Sequence, residues 1–189
     1  MLTTVSADVA NNSDIELIER CVNGDRASFR DLYRRYEHKV RATLYQLCGS
    51  SLLDDLVQEV FLRVWKGLPK LKQRNTFSTW LYRITWNVAT DQRESFAKQH
   101  SLEAKLSIPD DRVVESSELM NLHYQDLVQR GLDHLSFEHR AVLVLHDLED
   151  VPQKEVAEIL GVPVGTVKSR LFHGRSALRQ FLQKQGVNL

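Results

Sequence analysis

The sequence predicts an all-α protein of two small helical domains joined by a flexible linker, the C-terminal one containing a helix-turn-helix. Three observations carry this. Apolar residues recur at three- and four-residue steps through most of the chain, and no stretch alternates as a strand would. That periodicity lapses over residues 97–115, which include Pro109-Asp110-Asp111, a linker-like break. Between Pro152 and Leu182, two helical patterns flank Gly161-Val162-Pro163, the layout of a helix-turn-helix. With 189 residues, 42% of them hydrophobic, the chain is long enough for two cores. The expected division is a disordered N-terminus at 1–12, a first domain at 13–96, the linker at 97–115 and a second domain at 116–189.

In chain order, Ser13-Asp14 looks like a helix cap leading to Val22. A long helix over roughly Arg26 to Cys48 carries Phe29, Leu32, Tyr33, Tyr36, Val40, Leu44 and Leu47 on one stripe, and Gly49-Ser50-Ser51 ends it. The next helix, about Leu53 to Leu68, directs Leu56, Val57, Val60, Phe61, Val64 and Leu68 inward. Its other face holds Asp55, Gln58, Glu59, Leu62 and Lys66. Such a face is either an ordinary solvated surface with one stray Leu or a docking face with a small apolar centre and a polar rim.

After the basic loop Pro69 to Thr76 comes a helix with Phe77, Trp80, Leu81, Ile84 and Val88 as its core stripe. Tyr82, Trp86, Ala89 and Arg93 fall on the outer face, with Arg83 and Asn87 on one flank. Two readings stand for the aromatics: stacking on unpaired bases beside phosphate-tracking cations, or packing against a neighbouring helix of a larger core. Past the linker, Ser116 or Ser117 could cap a helix to His134, and Ser136 caps another, with His139 where a capping-box acid would sit.

In the helix-turn-helix, Ala157 is small enough for a second helix to approach closely. Val164, Val167, Leu171, Leu178 and Phe181 form the apolar stripe of that second helix. At about 100° per residue, Ser169, Phe172, His173 and Ser176 point the other way, flanked by Lys168, Arg170, Arg175 and Arg179. Small polar and aromatic groups suit base edges and flanking cations suit phosphates. A surface helix with solvated charges is the plainer alternative.

The formal net charge is zero, from 25 basic and 25 acidic side chains, but it is unevenly distributed. Phe61 to His100 holds eight cations and two anions, and Pro152 onward holds six and two. The intervening Glu103 to Asp150 holds four cations against eleven anions. Two basic blocks around an acidic one suggest two DNA-facing surfaces.

No apolar run reaches membrane-spanning length and no signal peptide is evident, so membrane insertion is not expected and the expected location is the cytoplasm. Cys21 and Cys48 lie outside any CxxC pattern, and the seven His are scattered. No metal site, cofactor or catalytic residue is expected, since phosphate loop, GxSxG and HExxH patterns are all absent.

Three segments together, DDLVQEVFLRVWKGL, FSTWLYRITWNVATDQR and EVAEILGVPVGTVKSRLFHGRSAL, resemble bacterial RNA polymerase sigma factors of the sigma-70 family, extracytoplasmic-function (ECF) group. The likeness runs from about Ser13 to Leu182. It implies a factor that recognises −35 and −10 promoter elements and promotes melting and transcription initiation, with a stress or envelope-response regulon. Its partners would be promoter DNA, the clamp helices of the largest polymerase subunit, the flap of the second-largest, and an anti-sigma factor; its place would be the cytoplasm, at the nucleoid. By the same resemblance, Asp55, Gln58, Glu59 and Leu62 dock on the clamp helices. Leu71, in the family's specificity loop, Arg74, Tyr82, Arg83, Trp86, Asn87 and Arg93 serve the −10 element, with Asn87 lining a pocket for a flipped base. Lys168, Ser169, Arg170, Phe172, His173, Arg175 and His146 serve the −35 element. His173 and His146 stand where other members have Arg, and Leu71 where some have an aromatic. The rivals are a dimeric activator of response-regulator type, which would need an upstream receiver domain, and a nucleic-acid-modifying enzyme, which would need a catalytic cluster.

Overall fold

The computed structural model describes residues 14–103 and 119–187. The N-terminal 1–12, Ser13 of the expected Ser13-Asp14 cap, most of the expected linker and the Ser116–Ser117 cap lie outside the described residues. Among those described, all regular elements are helical. We label them α1 (residues 14–22), α2 (Arg26–Cys48), α3 (Leu53–Gly67), α4 (Phe77–Glu103), α5 (Leu119–Asp133), α6 (Phe137–Leu143), α7 (Gln153–Leu160) and α8 (Val164–Lys184). Two compact units part between Thr90 and Asp91, with Glu158–Gly161 grouped with the first.

In the first unit, α2 begins because Asp25 caps it. Its carboxylate accepts from the Ala27 N–H at 2.9 Å, the Ser28 N–H at 3.3 Å and the Ser28 hydroxyl at 2.8 Å, satisfying donors that a helix start leaves open. Arg20 of α1 adds Nε at 3.1 Å and a terminal nitrogen at 2.8 Å. The Ser28 hydroxyl first, then Arg20, hold the Asp25 carboxyl down from 3.8 to about 2. A depressed carboxylate contributes stability that is present above its unfolded value and lost as pH falls through its folded one. Thermal stability measured from about pH 4 to pH 2 should therefore fall less steeply for Asp25→Asn than for the wild type; equal slopes would rule out this linkage.

The core of this unit sets Leu32, Val40 and Leu44 of α2 against Val57, Val60 and Val64 of α3, all at most 2% exposed. Tyr36 and Phe77 meet edge to face with centroids 5.2 Å apart. Asp14 of α1 is buried and bonded by Arg35 and the Tyr36 hydroxyl, so a polar group enters the core with its partners supplied. Cys21 is buried as well, and desolvation pushes its thiol up to about 11. At neutral pH that sulfur is a protonated packing group.

Two sequence expectations change in α4. Tyr82 and Ala89, placed on the outer face, are buried at 6% and 0% exposure, while Ile84, placed in the core, is half-buried. Leu81, Tyr82, Thr85, Val88 and Ala89 are all buried, so this helix is covered over a wider arc than one apolar stripe. Tyr82 is therefore not available to stack on bases, and packing is the correct reading for it. Second, α4 continues through the start of the expected linker to Glu103. Ala97-Lys98-Gln99 and Leu102-Glu103 are strong helix formers, and no Gly or Pro interrupts them.

In the second unit, Ser136 caps α6 as expected, accepting from the His139 N–H at 3.3 Å. The helix that Ser136 starts keeps its α register only to Leu143. Val144–Leu148 then forms a wider π turn. The Glu149 N–H donates to the Val144 carbonyl at 3.0 Å and the Val151 N–H to the Leu145 carbonyl at 2.9 Å. Gly161, at φ 66°, ends α7, and Pro163 stands before the first residue of α8 with extended backbone. The expected helix-turn-helix is thus α7–α8, and its inner face includes Val156, Val167 and Leu171, at most 2% exposed.

Gly174 completes the buried stripe of α8. A Cβ there would come within 3.3 Å of a Leu143 methyl and 3.4 Å of the His139 carbonyl. Its missing side chain lets α6 approach the middle of α8 closely.

Candidate functional site

The outward face of α8 is built by the burial of the inward one. With Val167, Leu171 and Gly174 fixed in the core, Lys168, Ser169, Phe172, His173, Arg175 and Ser176 are all exposed. Phe172 is 71% exposed, more than any packing role explains. The His173 ring lies 5.3 Å from it, close to perpendicular, and 6.3 Å from the His139 ring of α6. A cavity of about 390 Å³ opens here, lined by Gln153 of α7 together with Lys168, Phe172, Arg175 and Ser176. Arg170 is half-buried on the flank.

His146, expected on this surface, is engaged elsewhere. Its Nδ1–H donates to the Val151 carbonyl at 2.8 Å, and its Nε2 accepts from the Gln153 amide at 3.4 Å. Both ring nitrogens are used within the fold, because the π turn carries His146 back toward the start of α7. The group at the cavity is Gln153, which sequence reasoning missed; its position as the first residue of α7 was the available signal, since helix N-termini are common DNA contacts.

Arg175 makes a two-point fork with Asp147 of the π turn. Its Nε donates to Oδ2 at 2.9 Å and a terminal nitrogen to Oδ1 at 2.5 Å. That bond holds the guanidinium above its ordinary basicity. Arg175 and Asp147 also border a second cavity of about 210 Å³, walled by Val128, Leu132, Leu143, Leu148, Leu178 and Leu182.

In the first unit, Asp55, Gln58 and Leu62 are exposed on α3, and Glu59 is half-buried, bonded by Arg63 at 2.7 Å. Leu62 is 44% exposed and Trp65, one turn on, 39%. A groove of about 500 Å³ runs beside them, lined by Phe29, Tyr33 and Phe61 and by Arg41 and Asp54. Arg41 and Asp54 pair at 2.6 Å, while Phe29 and Trp65 meet edge to face at 4.8 Å. The apolar content of this face is therefore larger than Leu62 alone, and the missed residue is Trp65, which the three-residue step from Leu62 puts on the same side.

The remaining expected residues divide. Arg83 and Asn87 are exposed on α4, and Trp86 and Leu71 are half-buried. Arg74 is also half-buried, 3.8 Å from Glu19 of α1, so part of its charge is already balanced. Arg93 is exposed but lies past the division at Thr90; its guanidinium stands 4.7 Å over the Phe137 ring and 3.4 Å from Glu138. Among the described residues, no His, Cys, Asp and Glu cluster could hold a metal ion, and no helix is long and apolar enough to cross a membrane.

Residues 32–98 match the sigma-70 region 2 family and residues 125–178 match sigma-70, region 4. The chain is 30% identical over 177 residues to the ECF RNA polymerase sigma factor SigW of Bacillus subtilis, covering 88% of this chain and 95% of that one. It is 32% identical over 181 residues to the ECF RNA polymerase sigma-E factor of Escherichia coli, covering 90% and 95%. Among solved structures, the fold matches the sigma factor RpoE in complex with the anti-sigma factor NepR from Bartonella quintana, with TM-score 0.72, 22% identity and 82% and 96% of the two chains covered. It also matches CnrH in complex with the cytosolic domain of CnrY, with TM-score 0.70, 23% identity and 91% and 98% covered. The relatives are transcription initiation factors, not enzymes. With both sigma-70 regions in order and the likeness spanning almost the whole chain, this protein belongs to the ECF group of RNA polymerase sigma factors, whose general role is promoter recognition and transcription initiation.

Proposed function

We propose that α8 reads the −35 element in the major groove through Lys168, Ser169, Phe172, His173 and Arg175, with Gln153 beside them. The observation that carries this is Phe172, 71% exposed at the centre of a face of exposed cations and small polar groups. A solvated aromatic there has a use against the methyl group of thymine. The exposed Arg83 and Asn87 and the half-buried Trp86 and Leu71 serve the upstream edge of the melted −10 element, where unpaired bases are held by stacking and pocket capture. The working division is 13–96 for core polymerase and −10 binding and 116–189 for −35 binding.

Asp55, Gln58, Glu59 and Leu62, with Trp65, dock on the clamp helices of the largest polymerase subunit. The apolar cavity bordered by Leu132, Leu178 and Leu182 receives the flap of the second-largest. An anti-sigma partner would compete by covering these faces, and a stress or envelope-response regulon follows the group. Work on promoters with polymerase puts the protein in the cytoplasm, at the nucleoid.

Reconstitution with core RNA polymerase on genomic DNA, with run-off transcripts sequenced, tests the reading. Specific start sites sharing −35 and −10 elements are expected. No stable complex with core and no specific start would overturn it.

A further inference from the structure

Arg175 presents two donor edges. The edge formed by Nε and one terminal nitrogen is fully occupied by Asp147, at 2.9 and 2.5 Å. The other edge, formed by the two terminal nitrogens, belongs to a side chain that is 54% exposed and lines the cavity shared with Phe172 and Ser176. Asp147 reaches α8 because the chain leaves α register at Val144 and widens into the π turn, a feature often found at functional sites. Its own side chain is 29% exposed, so it lies closer to the protein body than the group it holds.

Two effects on DNA binding follow from this arrangement, and they oppose each other. A guanidinium already paired with a carboxylate forms a nearly neutral unit, which adds little to the attraction for phosphates and releases few counterions. A guanidinium anchored by one edge, however, keeps the other in a fixed plane. Two parallel N–H donors in a fixed plane match the O6 and N7 acceptors of guanine. The pairing costs the domain general affinity and sharpens geometry.

We infer that Asp147 is a specificity-determining positioning residue, which braces Arg175 to read a guanine of the −35 element and at the same time cancels its charge toward phosphates. This rests on the reading of α8 as the −35 helix. It also changes the expectation for Arg175 itself, from a general phosphate contact to a base reader.

The test uses the full chain assembled with core RNA polymerase on a duplex promoter library randomised across both elements, with bound sequences read out and binding titrated against salt. Arg175→Ala is expected to lose a guanine preference of roughly tenfold or more at one −35 position, with little change in salt dependence. Arg175→Lys, which keeps the charge and loses the fork, should lose the same preference. Asp147→Asn should weaken that preference while binding to non-specific duplex tightens and its salt slope steepens by about one unit. If Arg175→Ala weakens all sequences equally and flattens the salt slope by about one unit, or if Asp147→Asn leaves the preference at that position intact, the brace is refuted and the −35 reading of α8 survives. If neither Arg175→Ala nor Phe172→Ala alters any −35 preference, the reading of α8 fails instead.

Discussion

Leu62→Asp is expected to lower the affinity for core RNA polymerase by roughly 30- to 1,000-fold, while the isolated protein keeps its melting temperature. A central apolar anchor in an interface commonly contributes about 2–4 kcal/mol, and each 1.4 kcal/mol is a factor of ten. Leu62 has the features of such an anchor. It is 44% exposed, beside a Trp that is 39% exposed, and Asp55 and Gln58 complete its rim. An aspartate there would place an unpaired charge in the contact. Folding is spared because the inward face of α3, from Leu56 to Val64, is untouched. The measurement is a binding titration with core polymerase alongside thermal unfolding. Unchanged affinity would mean that α3 faces something other than core. Trp65→Ala should act in the same direction through lost area, and a double substitution measures whether the two contact one patch.

Phe172→Ala should reduce −35-dependent promoter binding by about 10- to 100-fold, equivalent to about 1.4–2.7 kcal/mol, with no loss of stability. Truncation of a large aromatic ordinarily destabilises a helix by opening a cavity. Here the side chain is 71% exposed and leaves little to open. Its neighbours across the helix, Leu171 and Gly174, are the ones that hold α8 in place. A competition assay between promoters that differ only in the −35 element reads the effect. A variant that binds as well as the wild type, or one that unfolds, would refute the assignment in different ways.

How far the sequence alone reached can be judged from particular residues. The bounds of α2 were legible because Gly49 is a strong stop signal and the apolar stripe before it is regular. The exposed face of α8 was legible for the same reason: one clean stripe fixes where the other side points. Tyr82 was misplaced because a single stripe is a poor guide for a helix buried over a wide arc. His146 and Asp147 were misplaced for a different reason. The step from α to π register moves every later side chain around the axis, and nothing in Val-Leu-His-Asp-Leu announces it. Asp147 was counted with an acidic block apart from the basic helix, whereas the fold brings it into direct contact with Arg175. Charge blocks along a chain show where fields originate, but pairing is decided by which side chains meet in space.

The close approach at Gly174 also bears on how such a factor can change over time. Helix α8 is gripped from behind, at its middle, by backbone and a Leu143 methyl, and the residues proposed to read the −35 element take no part in that grip. Lys168, Ser169, Phe172 and His173 can therefore be exchanged without disturbing what holds the helix. On the proposed reading, promoter preference and stability are written on opposite sides of one element. A change of promoter preference on that face would leave the scaffold underneath the same.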